Sequence, residues 1–236
     1  KTIELRPEWK VSYNNRGNAK SNLKDYSGAI ADFTKAIELN PDYTYAYRNR
    51  GDVKHILKDY NGAIADFTKA IELNPDYDIA YRNRGDVKHI LKDYKGAILD
   101  FTKAIELRPH GVYYNNRAVS KRESGDPKGA IEDYNKGIAI DPNITQLWGG
   151  RGTAKSYLKD MDGACADWNK GVVTGDEIDS QNFYQEKIDE NCSGMTKEKA
   201  IAKLTELKQL LELEVITQKD YDKEKAILTP IILGKN

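Results

Sequence analysis

The stretch YRNRGDVKHILKDY, Tyr47–Tyr60, returns word for word as Tyr81–Tyr94, 34 residues later. A verbatim copy at a fixed offset marks a repeated structural unit, and three further series test that offset along the chain. Gly17, Gly51 and Gly85 are followed by Ala118 and Gly152; Gly28, Gly62, Gly96, Gly129 and Gly163 form a second series; Pro41, Pro75, Pro109 and Pro142 form a third. All three keep a step of 34 residues except for one shared step of 33, where PHGVYYNNRA (109–118) replaces PDYDIAYRNRG (75–85). A deletion of one residue belongs in a connecting loop.

Each repeat reads as two helices. In the second repeat Tyr47, Gly51, Val53 and Leu57 lie on the first, while Ala63, Ile64, Phe67, Ala70, Ile71 and Leu73 carry the i, i+3, i+4, i+7 stripe of the second. KDYNG (58–62) makes the turn between them. NPDY (74–77) ends the second helix, because Pro75 cannot continue it and biases Asn74 out of it. The small residues Gly51 and Ala63 mark where the two helices cross closely, and Ala70 where the next repeat packs. Two helices cannot bury their apolar faces alone, so stacking the repeats makes one continuous core.

The pattern Tyr47-x2-Arg50-Gly51…Ala63-x3-Phe67…Pro75 resembles the signature of the tetratricopeptide repeat (TPR) family. It recurs from Tyr13 to Pro41 and from Tyr81 to Pro109, weakens to Tyr114…Ala118…Ala130…Tyr134…Pro142, and ends as Trp148…Gly152…Ala164…Trp168 with TGD in place of the proline. After a lead-in over 1–6, that makes five repeats: 7–40, 41–74, 75–108, 109–141 and 142–175. The resemblance implies an all-α fold, a right-handed TPR superhelix (an alpha-solenoid), to which the tail adds a small C-terminal helical hairpin. One departure is systematic. Where the family often has Leu before the helix glycine, this chain has Arg16, Arg50, Arg84, Arg117 and Arg151. One residue before each second-helix aromatic stand Asp32, Asp66, Asp100, Asp133 and Asp167. These suggest a ladder of ion pairs bracing helix to helix, with ligand contact as the other reading.

Residues 176–191 read as a helix whose Phe183 and Ile188, with Tyr184 as a further candidate, cap the last repeat. Cys165 and Cys192 approach one another if that helix runs antiparallel to the one before it. A disulfide, two free thiols and a metal site all stay open; a disulfide would argue for an oxidising compartment. A linker over 192–196 leads to 197–228, where Ile201, Leu204, Leu207, Leu210 and Leu211 form one stripe and Thr217 with Asp220 makes a capping box for a second helix. This segment resembles the SHOCT module, a short C-terminal helical hairpin, with Glu214 in place of the usual glycine. That resemblance implies self-association or docking. Residues 229–236, at the end of ILTPIILGKN, read as an extended apolar tail.

The 37 basic and 37 acidic residues cancel, which removes any bulk attraction to nucleic acid or anionic membrane. No apolar run reaches the length of a membrane span. Lys1 rather than Met stands first, as in a trimmed or processed product, so the expected site is either the bacterial cytoplasm or, after signal removal, the periplasm. No phosphate loop, nucleophile elbow or HExxH is present. His55 and His89 have no partner at i±4 with which to chelate. The expectation is therefore no enzyme, no metal and no cofactor.

In the family, the first helices of successive repeats line a concave groove that takes a protein or peptide partner. The positions this resemblance places there are Asn15, Asn18, Tyr45, Arg48, Asn49, Asp52, His55, Arg82, Asn83, Asp86, His89, Asn116 and Arg122. Asn15, Asn49, Asn83 and Asn116 resemble the asparagine ladder of peptide-binding TPR superhelices, since an amide pairs twice with a peptide backbone. The other reading is that each amide satisfies polar groups of the neighbouring helix. If the ladder binds, exchanging Asn49 and Asn83 for Ala weakens binding with little loss of stability. Asn18 and Asn49 match the asparagines of the chaperone-tail clamp of co-chaperone repeats. Asn14 and Ile79 stand where two of its lysines would, so chaperone tails are not expected as ligands. The arginines, offset by Asp52 and Asp86, suit a mixed-charge or weakly acidic segment. The alternative function is self-assembly, with hairpin and tail joining chains into a homo-oligomer.

Overall fold

The computed structural model describes residues 9–174, 178–192 and 197–233. The lead-in 1–6 and residues 193–196 of the linker lie outside them. The described residues form thirteen α-helices and no strand. The chain divides after Ser124 into two units.

The first unit holds α1 (Lys10–Asn22), α2 (Tyr26–Leu39), α3 (Thr44–Ile56), α4 (Tyr60–Leu73), α5 (Asp78–Ile90), α6 (Tyr94–Leu107) and α7 (Gly111–Glu123). Each helix packs on the next, and α1, α3, α5 and α7 also touch in succession, so the first helices of the repeats share one face. The glycine series explain themselves here. An added Cβ at Gly51 would meet the Phe67 ring at 2.7 Å, and Gly17 and Gly85 face Phe33 and Phe101 in the same way. That close crossing lets Phe67 bury fully and reach Val87 of the next repeat, as Phe33 reaches Val53. Burial of such a ring is worth about 2–3 kcal/mol. Gly62 belongs to a cap: Asp59 accepts its amide at 3.0 Å, and a Cβ there would overlap the carboxylate. Between the helices, Lys24, Lys58 and Lys92 take the left-handed backbone that favours glycine, at φ 62–63°. Ala70 packs with Tyr77 and Ala80 at the junction to the following repeat.

Arginine and aspartate form the expected brace, with more partners than their spacing suggested. Arg50 donates to both oxygens of Asp66 (2.9 and 2.7 Å), and Lys54 adds a third contact at 2.8 Å. The guanidinium also donates to Thr34 of the preceding repeat at 3.1 Å and lies over the Tyr47 ring at 5.7 Å. Arg84 repeats this with Asp100, Lys88, Thr68 and Tyr81. Arg16 and Lys20 hold Asp32, whose pKa stays below the usual carboxylate value: burial opposes the charge, but the hydrogen bonds from Arg16 and Lys20 outweigh it.

The second unit holds α8 (Pro127–Ile140), α9 (Thr145–Tyr157), α10 (Met161–Thr174), α11 (Ile178–Asn191), α12 (Lys197–Glu212) and α13 (Gln218–Leu233). Arg151 braces Asp167 at 2.8 and 2.6 Å, and Trp168 lies under Gly152. Tyr184 of α11 buries over Gly149 and Gly171, so α11 closes the last repeat. Cys165 and Cys192 form a disulfide, with Cα atoms 5.7 Å apart, that ties the end of α11 to α10. The other two readings of these cysteines are thereby set aside.

Helices α12 and α13 pair as a hairpin, with Ala200 and Leu228 buried. Thr217 and Asp220 make the capping box: the Thr217 hydroxyl donates to Asp220 at 2.6 Å and accepts the Asp220 amide at 3.2 Å. Glu214, before that cap, sits in the left-handed region at φ 57°. The C-terminal segment corrects the sequence reading. Residues 229–233 are not an extended tail but the last turn of α13. Ile227, Leu228 and Ile231 fall on one helical side and line a cleft with Cys165, Ala166 and Ile188, so side-chain packing outweighs the helix-breaking tendency of Pro230. Residues 234–236 lie outside the described residues.

Candidate functional site

The residues expected from the sequence to line the groove all lie on α1, α3, α5 and α7, and they fall into three classes of exposure. Asn15, Asn18 and Tyr45 are exposed, and Arg48, Asp52, His55, Arg82, Asp86, His89, Asn116 and Arg122 are half-buried. Asn49 and Asn83 are not on the surface: each is 7% exposed. Asn49 Nδ2 donates to Asn14 Oδ1 at 2.8 Å, Asn83 Nδ2 to Asp52 Oδ1 at 2.6 Å, and Asn116 Nδ2 to Asp86 Oδ1 at 2.8 Å. The amides thus reach back to the preceding first helix and stitch successive repeats. This is the neighbouring-helix reading of the ladder. Replacing Asn49 and Asn83 by Ala is therefore expected to cost stability, because their acceptors would be left buried and short of a donor.

What faces outward is a row of charge pairs. Arg48 donates to Asp52 at 2.8 Å and Arg82 to Asp86 at 3.0 Å, each one helical turn along its own helix. Arg48 also donates to the Tyr77 hydroxyl at 3.1 Å, and the exposed Tyr45 ring packs edge-on between Tyr43 and Tyr77 at 5.9 and 5.8 Å. Two turns on, His89 contacts the Ser120 hydroxyl at 2.9 Å. Arg122 pairs with Glu123 at 2.8 Å.

The electrostatics of these carboxylates run opposite to those of Asp32. Burial pushes Asp86 up to about 6; Arg82 and the Asn116 amide pull the other way, and the nearby Asp52 charge adds to the rise. Asp52 is also raised by burial, against Arg48 and Asn83. Burial lowers the His89 pKa and keeps the ring neutral near pH 7. Among the described residues no group of three or more His, Cys, Asp or Glu is placed to hold a metal ion, and no helix is long and apolar enough to cross a membrane. The Thr34, Thr68 and lysine partners of the brace were not anticipated. Their signal was present, since Lys20, Lys54, Lys88 and Lys155 each follow the bracing arginine by four residues.

Fold and face together define a helical-repeat protein whose first unit has a polar face built from α1, α3, α5 and α7. Tetratricopeptide repeat profiles match residues 11–43, 80–110 and 112–144, and a TPR repeat profile matches 51–91, together more than half of the chain. The chain belongs to the tetratricopeptide repeat family, whose members generally mediate protein–protein interactions. Among solved structures it is similar to a MamA protein at 23% identity and TM-score 0.64, over 70% of this chain and 91% of that one. It is similar to YrrB, described as a TPR protein with an unusual peptide-binding site, at 20% identity and TM-score 0.64, over 78% of this chain and 96% of that one. Yeast Tom70 matches at 18% identity and TM-score 0.66, over 80% of this chain and 41% of its own. These likenesses carry the fold alone. None of the curated proteins compared matches the chain in sequence.

Proposed function

We propose that this protein is a non-enzymatic scaffold that binds an extended peptide or protein segment in the concave groove formed by α1, α3, α5 and α7. The observation that carries this reading is the half-exposed row of Arg48–Asp52 and Arg82–Asp86 pairs beside the exposed Tyr45. These groups keep hydrogen-bonding capacity on the surface, whereas Arg50 and Arg84 of the brace are more buried and commit each guanidinium nitrogen to a partner within the fold. An extended segment presents amide and carbonyl groups at regular intervals, and a fixed row of donors and acceptors meets them at low ordering cost. The test is isothermal titration of a peptide selected from a displayed random library. Tyr45→Ala with Arg82→Ala is expected to weaken it at least ten-fold with the helical signal unchanged. Undiminished affinity in that double variant contradicts the assignment.

A second reading, assembly through the hairpin, is favoured by its exposed apolar residues Ile201, Leu213 and Val215. Glu214 takes the left-handed backbone at the position where the SHOCT pattern has glycine, which supports the likeness to that module. Light scattering should then report an oligomer for the full chain and a monomer for residues 1–195. The same number of chains per particle in both would end this reading. The Cys165–Cys192 disulfide suits an oxidising compartment, so we place the protein outside the reducing cytoplasm. Free thiols in protein isolated with alkylating agent present would contradict that placement.

A further inference from the structure

The row of charge pairs ends at α7. There Asn115 and Val119 stand where α3 has Arg48 and Asp52 and where α5 has Arg82 and Asp86. The last acid of the row, Asp86, therefore looks across at an apolar wall. A cleft of about 240 Å³ opens at that point, lined by Asp86, His89, Ile90, Phe101, Asn116 and Val119. Three walls are hydrocarbon.

The two ionisable walls are both acceptors. Asp86 takes one hydrogen bond from Arg82 and one from Asn116, which leaves lone pairs on both carboxylate oxygens. The His89 tautomer follows from its neighbour. With the one proton of the Ser120 hydroxyl on the Asn116 carbonyl at 3.0 Å, the 2.9 Å contact with His89 Nδ1 is one that the ring donates. In the neutral ring Nε2 then carries no proton and accepts. An apolar slot closed by acceptors fits a group that has a hydrocarbon stem and donors only.

We propose that this cleft is a pocket for one basic side chain, lysine or arginine, of the bound segment, with its stem along Ile90, Phe101 and Val119 and its cationic head on Asp86 and His89. The proposal rests on the scaffold reading and names a residue class that the bound segment carries; of the mixed-charge or weakly acidic segment expected from the arginines, it keeps the mixed-charge one. Those arginines are paired with their own helix partners, and Arg122, which faces His89, is paired with Glu123. The charges facing Asp86 are Arg82 on α5 and Asp52 on α3; those facing His89 are Arg122 and Glu123 on α7. Because Asp86 is held near 6, the pocket loses its anion as the pH falls through that value, and protonation of His89 below its already lowered pKa adds repulsion.

The test uses the isotope-labelled full chain and three four-carbon probes: n-butylammonium, butanol and butyrate. At pH 7, butylammonium is expected to shift the Asp86, His89 and Val119 resonances and the Asn116 side-chain amide at millimolar concentration. Butanol and butyrate should do so at least ten-fold more weakly. The response should fall about ten-fold at pH 5. It should also be lost in Asp86→Asn and in Val119→Leu, which fills the cleft without touching the charge. An equal response to butanol, no response at all, or a butylammonium response that survives in the folded Val119→Leu variant overturns the pocket. Displayed-peptide selection separates this from the scaffold reading. Binders lost in the Tyr45/Arg82 double variant but lacking a basic residue, and indifferent to Asp86→Asn, overturn the pocket and leave the scaffold. A positive butylammonium response with no peptide binder overturns the scaffold and leaves the pocket chemistry.

Discussion

Arg48 and Arg50 sit two residues apart on one helix, and each holds an aspartate, yet the two aspartates are held by different numbers of donors. On the side facing α4, Asp66 receives Arg50 twice and Lys54 once, and Arg50 is further pinned by Thr34 and the Tyr47 ring. On the shared first-helix face, Asp52 receives one guanidinium and one amide, and its charged form is disfavoured. The same pair of residue types is thus a saturated brace on one side and an under-compensated surface on the other. The difference between them is the number of donors each carboxylate receives.

The contrast breaks most visibly under one substitution made on both sides. Asp66→Asn strips the acceptor from two partly buried cations and should cost about 3–5 kcal/mol in thermal or urea unfolding. Asp86→Asn removes a charge the fold holds reluctantly and should stay within about 1 kcal/mol of wild type. Comparable losses at the two sites would abolish the distinction.

The stitching amides come next. Asn83→Ala leaves Asp52 with Arg48 alone and should cost about 1–3 kcal/mol in the same unfolding assay. A change within error would mean that the Asn83–Asp52 bond holds nothing together.

A pH series sharpens the comparison further. Asp86 has a folded pKa of about 6 against an ordinary carboxylate value of 3.8, so it binds its proton more tightly when folded. Its contribution is present at low pH and disappears as pH rises through 6. From pH 7 to pH 5 it should therefore add about 1 kcal/mol, an increment missing in Asp86→Asn. Asp32, held below the usual value, runs the other way: its stabilisation persists through this window and fades only in stronger acid. The difference in melting temperature between wild type and Asp86→Asn at the two pH values reads the first effect free of the rest. The smallest effect belongs to the exposed pair Lys69–Glu72 on α4, where Lys69→Ala should change stability by less than about 0.5 kcal/mol in the same assay.

The repeat register, the glycine crossings, the arginine–aspartate brace and the Thr217 capping box were legible because each depends on spacing within a few helical turns. Asn49 and Asn83 were misplaced for the opposite reason. Whether a first-helix amide faces solvent or the preceding helix depends on how two repeats are staggered. That stagger comes from Ala70, Tyr77 and Ala80 at the junction, and no periodicity within one repeat reports it. The final turn of α13 was missed because Pro230 and the β-branched residues around it argue for extended chain, while the packing of Ile227 and Ile231 beside α10 overrides them. The change from Asp86 to Val119 at equivalent positions was visible in the sequence, but its meaning required knowing that a cleft opens there.

The central claim is that the first-helix face binds and the brace does not. Chemical-shift mapping of a selected peptide on the labelled full chain tests it most directly. The account predicts perturbations at Tyr45, Arg48, Asp52, Arg82 and Asp86, with Asp66 and Asp100 unmoved. Perturbations centred on α4 and α6, or on the hairpin α12–α13, would contradict it.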